Sequence, residues 1–297
     1  MLVSTPEIDI KQARRAEAVL FLLTVLWGGT FVIVKTSLTS ISTSGFLAIR
    51  FSFAAVILFL MFPRSVSRLN KAVLRDGMIL GILSFMGFLL QTEGLRFTTA
   101  SNSGFITGTS VVFTPIIQIV IERRFPKWNN IAGVAIVCVG LYLLSGSNLT
   151  ALNYGDVLTL GCAVAWSFYI VRLDMSAPRH PVVLLTLLQL TTTAILSCSM
   201  YFLAGAGSIT LTQPLVASIL YTALITTVLT TLLQMKYQPR TTPVRAVLIF
   251  TAEPVFAAMC GHYFLNESLT ILGWAGAGLI LGGVLVSELA GERVSGS

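Results

Sequence analysis

Charge is scarce in this 297-residue chain. Asp, Glu, Lys and Arg make up 10% of it, and 55% of residues are hydrophobic, against roughly 25% charged in an average soluble domain. So little charge cannot coat a water-facing surface of this size, which excludes a soluble globule. Cysteine is rare too: Cys138, Cys162, Cys198 and Cys260 all fall inside apolar runs, which excludes a disulfide or zinc framework and leaves them as small packing residues. HExxH, G-x-S-x-G and an ATP-binding loop are missing, so no zinc or nucleophile-elbow hydrolase and no ATP-driven pump is written here, and no cofactor is expected. Apolar residues do not alternate with period two, which argues against the strands of a membrane barrel.

What the chain has is a series of long apolar runs, each near the ~20 residues a helix needs to cross a hydrocarbon core. They lie at about 17–37, 44–62, 77–96, 101–121, 129–147, 155–174, 182–204, 214–236, 243–265 and 269–289. The expected fold is all-α and polytopic, with ten transmembrane helices, a short segment at 1–16 and a tail at 290–297. The opening "MLVSTPEIDIKQARRAEAVLFLL" pairs a polar lead with a full-length apolar run and no small-residue cleavage site, so it reads as an uncleaved first helix.

The net charge is +7, and its placement speaks for topology rather than nucleic-acid binding. With the N-terminus inside, all nineteen Lys and Arg except Lys35, Arg50 and Arg96 fall on cytoplasmic segments. That bias orients both termini to the cytoplasm. The lipid bilayer and a small molecule are the expected partners, and nucleic acid is not.

The ten runs split into two fives. Glu17, Trp27 and Val32 of the first run return as Asp156, Trp166 and Val171 of the sixth, offset by 139. "LLQ" at Leu89–Gln91 returns at Leu232–Gln234, and Gly133 and Gly140 return as Gly276 and Gly283, now offset by 143. One four-residue insertion reconciles the offsets, giving repeats at 17–147 and 155–289. Pro115 and Pro254 break the register, Pro115 lying one turn beyond Val111, the counterpart of Pro254. Five spans is an odd number, so the second half enters the membrane from the opposite side. Inverted repeats of this kind characterise many secondary transporters.

"LWGGTFVIVK" in the first span, the arginine of "AIRFSFAA" in the second, and "AEPVFAAMCGHYFLNESLTILGWAGAGLILGGVLV" in the last two resemble the EamA-type transporters of the drug/metabolite transporter superfamily. The resemblance covers nearly the whole chain. It implies ten helices in two inverted five-helix repeats around a central cavity lined by the first, third, fourth, sixth, eighth and ninth helices. Glu267 stands where the family has an acid, whereas Glu122 in "ERRFPKWNN" is displaced from that position in the first half.

Within the runs, Trp27 and Trp166 lie near mid-depth, where such transporters bind solute; they either face it or fill space between helices. Gly28 beside Trp27 lets something approach the backbone. Tyr169 joins the candidate binding set. Gln91 and Gln234 are repeat-related and either bond solute or a neighbouring helix. Glu253 sits directly before Pro254, which tends to kink its helix. Three roles for Glu253 stay open: proton coupling, contact with a solute amine, or a structural bond to another helix. Arg50 and Glu93 lie at similar depth and are expected to pair as a structural latch, with capture of a solute carboxylate as the rival for Arg50. Gly278 and Gly282 at helix-packing spacing serve either the repeat itself or a dimer, so monomer and homodimer both stand. The leading function is an alternating-access exporter of small amphiphilic metabolites such as amino acids in a bacterial inner membrane. A membrane-embedded enzyme using Glu253 as acid or base, and a passive channel, are the alternatives.

Overall fold

An apolar helix in lipid must dispose of its first unpaired N–H groups at its start, and this chain places short polar side chains there. In the computed structural model, which describes residues 10–123, 125–144, 153–207 and 209–292, the helices are α1 (Ile10–Ser37), α2 (Thr43–Met61), α3 (Lys71–Gly94), α4 (Ala100–Gly108), α5 (Ser110–Glu122), α6 (Trp128–Leu144), α7 (Tyr154–Ser176), α8 (Val182–Leu203), α9 (Gln213–Ala223), α10 (Thr230–Tyr237), α11 (Pro243–Phe250), α12 (Glu253–Leu265) and α13 (Ile271–Glu292). Ser42, Asn70, Thr99, Thr212 and Thr242 each accept an N–H from the first turn of the helix that follows. Asn153 forms a reciprocal capping box with Asp156. Among the described residues the only β pairing is an isolated bridge between Ile41 and Ile209. The segments expected at 1–16 and 290–297 fall largely outside the described residues, as does Arg124.

Among the described residues, eight helical stretches are long and apolar enough to cross a membrane, α4–α5, α9–α10 and α11–α12 each counting as one. Two further apolar helices, Trp128–Leu144 and Ile271–Leu285, are shorter. These two are the fifth and tenth of the expected runs. They pack against each other where both backbones are bare: a Cβ at Gly140 would lie 2.9 Å from Gly276 O, and one at Gly276 would lie 2.5 Å from Gly140 O. Gly283 meets Val137 and the carbonyl of Gly133. The spacing pair Gly278 and Gly282 has nothing within 4 Å and takes no part in this contact.

The two kinked stretches break at matching places although their prolines do not match. α4 gives way to α5 at Thr109, and α11 to α12 at Thr251 and Ala252. At each break a threonine hydroxyl donates to its own helix, Thr109 to Ile106 O at 2.5 Å and Thr251 to Leu248 O, a bond that bends helices. Pro115 sits inside α5 beyond the break, while Pro254 stands at the break itself. α5 and α12 also end alike, on Arg123 and Asn266, both left-handed at φ 54°.

Substituting Gly140 or Gly276 by valine should force α6 and α13 apart, costing about 1–3 kcal/mol. Gly282→Val should be close to neutral. Melting of the purified variants in detergent checks the contrast, and equal losses at Gly276 and Gly282 would contradict this packing.

Candidate functional site

Between α1, α2, α3, α7, α8, α10 and the broken stretches lies a cavity. Trp27, Gln91, Trp166, Tyr169, Gln234 and Glu253, singled out from the sequence, all line it. Arg50 lines it as well. Trp27 donates its indole N–H to Thr230 Oγ1 at 3.2 Å and meets Phe250 edge-on, ring centroids 5.3 Å apart. Trp166 lies across Gly87, whose added Cβ would come within 2.8 Å of the indole. Its ring meets Phe88 at 4.9 Å and Tyr169 at 5.2 Å. The indoles therefore pack on protein and face open space at once.

The polar residues divide between those tied to protein and those left to the cavity. Gln91 donates to Thr107 Oγ1 at 3.3 Å, and Gln234 to Gln238 Oε1 at 3.0 Å. Tyr169 donates to Gln189 Oε1 at 3.2 Å. Glu253, by contrast, has no hydrogen-bond partner among the described residues. A structural bond from this acid to a neighbouring helix is therefore not what holds it there.

Two sequence expectations need correction. Arg50 and Glu93 do not pair. Arg50 donates to Thr227 Oγ1 at 2.8 Å and to Thr226 O at 3.3 Å, while Glu93 accepts from Arg96 at 2.9 Å and Thr43 at 2.5 Å. Similar depth did not imply a shared azimuth: Arg50 turns toward the stretch between α9 and α10. Gly28 is not on the cavity wall; an added Cβ would collide with Phe256 Cβ at 2.3 Å, so this glycine admits α12 rather than a solute. The acid in the family position also has an account. Glu267 accepts from Ala100 N at 2.9 Å, Ser101 N at 3.0 Å and Ser101 Oγ at 2.5 Å, capping α4 where its dipole favours a carboxylate.

Sequence reasoning missed Phe88, Ser84, Thr30, Ser110 and Gln189 on the wall. A lone hydroxyl or amide in an apolar run was the available signal, but such groups often bond their own helix.

Two carboxylates secure opposite ends of this arrangement. Glu17 at the start of α1 accepts from Thr241 at 3.2 Å and from Arg245 at 3.0 Å. Asp156 at the start of α7 accepts from Thr98 at 2.8 Å and from Asn102 at 2.6 Å. Lys35, near the far end of α1 from Glu17, donates to the carbonyl of the same Thr98, which sets the two clusters at opposite ends of α1. The acids are repeat counterparts offset by 139, and their partners, 98 with 241 and 102 with 245, are offset by 143.

An all-helical membrane chain with an aromatic, sparsely charged cavity is the build of a small-solute transporter. Comparison with known proteins agrees. The family model for the EamA-like transporter family matches residues 14–146 and again 153–289, and the chain belongs to that family. It is 33% identical to an uncharacterized transporter of Archaeoglobus fulgidus over 288 residues, 94% of this chain and 90% of that protein. It is 23% identical to the uncharacterized transporter YoaV of Bacillus subtilis over 91% of this chain and 96% of that one. A protein crystal structure at 17% identity superposes with a TM-score of 0.75, covering 94% of this chain and 99% of the other, a likeness of fold. The family and these names point to a transporter rather than an enzyme.

Removing the Thr230 hydroxyl by Thr230→Val should leave the Trp27 N–H without its partner, at a cost of about 1–3 kcal/mol. Thr226→Val should cost less, because that hydroxyl bonds only the Thr222 carbonyl of its own helix, at 3.2 Å. Melting and the indole emission maximum of the two variants test this. A Trp27 spectrum unmoved by Thr230→Val would show the bond to be dispensable.

Proposed function

We infer that the chain is a secondary transporter, an exporter that moves small amphiphilic metabolites such as amino acids across a bacterial inner membrane by alternating access. In this reading residues 17–147 and 155–289 are five-helix repeats, ten crossings in all, inserted upside down to one another with both termini in the cytoplasm. The chain acts as a monomer or homodimer, with the solute and the bilayer as its partners.

The observation that carries this reading is a set of contacts that come in swapped pairs. Glu17 of the first half meets Thr241 and Arg245 of the second, and Asp156 of the second meets Thr98 and Asn102 of the first. Trp27 meets Thr230, while its counterpart Trp166 meets Gly87, the counterpart of Thr230. Gly140 meets Gly276, the counterpart of Gly133, and Gly283, the counterpart of Gly140, meets Gly133. Residue i against the counterpart of j, matched by j against the counterpart of i, is the pattern a two-fold axis generates. Five crossings per half would lay that axis in the membrane plane, so exchanging the conformations of the halves would turn an inward opening into an outward one. Glu253, on the cavity wall with no fixed hydrogen-bond partner, serves as the coupling carboxylate.

In proteoliposomes a metabolite panel should reveal saturable counterflow for at least one solute, accumulated further by a pH difference. Glu253→Gln should keep counterflow and lose the pH-driven accumulation. Accumulation that survives in this variant refutes the coupling role, and an absence of saturable exchange for every solute refutes transport.

The two end clusters add a test with a sign. A single cysteine is placed at Thr30 on the cavity wall, with the four native cysteines replaced by alanine, and labelled from outside by an impermeant thiol reagent. Asp156→Asn should weaken the outer closure and raise the labelling rate; Glu17→Gln should weaken the inner closure and lower it. Changes of the same sign in both variants count against alternating access.

A further inference from the structure

Arg50 is a buried cation that the fold does not neutralise. The residue is 3% exposed, and among the described residues no carboxylate lies within ion-pair distance of it. Its guanidinium rests over the Phe88 ring, 4.7 Å from the centroid. Two of its five N–H groups are used, one on Thr227 Oγ1 and one on Thr226 O. The rest of the fork is left to the cavity that the residue lines.

The backbone goes out of its way to hold this group. Between α9 and α10, Leu224–Leu229 forms a π turn, in which Thr230 N–H bonds Ile225 O and Thr227 O. In an α-helix that N–H would bond Thr226 O. The π turn thus frees the Thr226 carbonyl, and Arg50 takes it. Single π turns of this kind occur often at functional sites.

The counterpart position shows that the charge is not a demand of packing. α2 and α8 begin 139 residues apart, at Thr43 and Val182, so Arg50 corresponds to Gln189, while Thr227 corresponds to Ser84, offset by 143. Gln189 also lines the cavity, with a neutral partner in Tyr169. The same architecture is therefore satisfied by an uncharged amide on one side and carries a guanidinium on the other.

The geometry points to Arg50 as the anchor for a carboxylate on the transported solute, with Thr226 and Thr227 as positioning residues that hold the fork toward the cavity. The solute supplies the missing counter-charge, and the apolar remainder of the molecule lies against Phe88 and Trp166. A planar fork matches a carboxylate bidentately, which a lysine ammonium does not. This assignment rests on the transporter reading and narrows its solute class to carboxylates.

The test uses purified protein in nanodiscs, with tryptophan fluorescence reporting binding. The probes are matched triads built on leucine, methionine and phenylalanine: the amino acid, its decarboxylated amine and its deaminated acid. At least one acid or amino acid should bind, better than the amine of its triad. Arg50→Gln installs the residue that the counterpart position already accommodates, and should weaken carboxylate binding roughly 10- to 100-fold with the amine unaffected. Thr227→Val keeps the charge and should weaken it by a smaller factor, which also serves if Arg50→Gln does not fold. Failure of every carboxylate to bind, amines binding as well as their acids, or carboxylate affinity unchanged in a folded Arg50→Gln or Thr227→Val overturns the assignment.

Counterflow separates this from the parent reading. Exchange of a solute lacking a carboxylate, insensitive to Arg50→Gln, sinks the anchor and leaves transport standing. Carboxylate binding that depends on Arg50 without saturable exchange of any solute upholds the anchor and sinks transport.

Discussion

A polar group inside this bundle must find its partner in protein or in the cavity, because lipid offers none. That constraint explains why the helix starts carry Ser, Thr or Asn, and why both mid-helix breaks sit on a threonine that bonds back to its own turn. It explains why the carbonyl released by the π turn is met by a guanidinium, and why Glu267 reaches across to the open N–H groups of α4. The π turn and the open start of α4 are each matched by a side chain from another element. The irregular places are consequently also the places where helices are tied together.

The ties come in related pairs, and their differences follow from their surroundings. Glu17 has Arg245 where Asp156 has Asn102. If the Glu17 end faces the cytoplasm, an arginine there agrees with the positive-inside bias, and an asparagine at the other end keeps the same hydrogen bond without a charge that would oppose insertion. The pairing preserves the bond while the donor differs between the two ends.

Much of the fold was legible because membrane helices announce themselves by length and by the scarcity of charge. The family model matches twice, at 14–146 and 153–289, where sparse residues such as Trp27 and Trp166, or Gly140 and Gly283, suggest a repeat. The cavity wall was partly legible for the same reason: an indole, an amide or an acid in an apolar run stands out. Azimuth was not legible. Arg50 and Glu93 share a depth, but a difference of a few residues on a helix of 3.6 per turn sends them to different neighbours. "LITTVL" has no feature that distinguishes a π turn from an α-helix, so the acceptor of Arg50 was invisible. Gly28 signalled a close approach correctly in kind, yet nothing in the sequence says that the approaching group is Phe256.

Comparing the two halves within the cavity separates what the fold requires from what the site adds. The indoles are duplicated at Trp27 and Trp166 and the amides at Gln91 and Gln234, and all four line the wall. The charges are not duplicated. Arg50 stands opposite its counterpart Gln189, and Glu253 stands in the place that Ser110 holds in the other half, each of these neutral residues also lining the cavity. Packing would tolerate the neutral residue on both sides, since it does so on one. An isolated buried charge is costly to keep, so its restriction to one half argues for a role that the frame does not supply. The cavity is in this sense an aromatic shell repeated in both halves with two ionisable groups, Arg50 and Glu253, set into it, one from each half. A solute bound there meets different groups in the two halves, although the helices that carry those groups are related by the repeat.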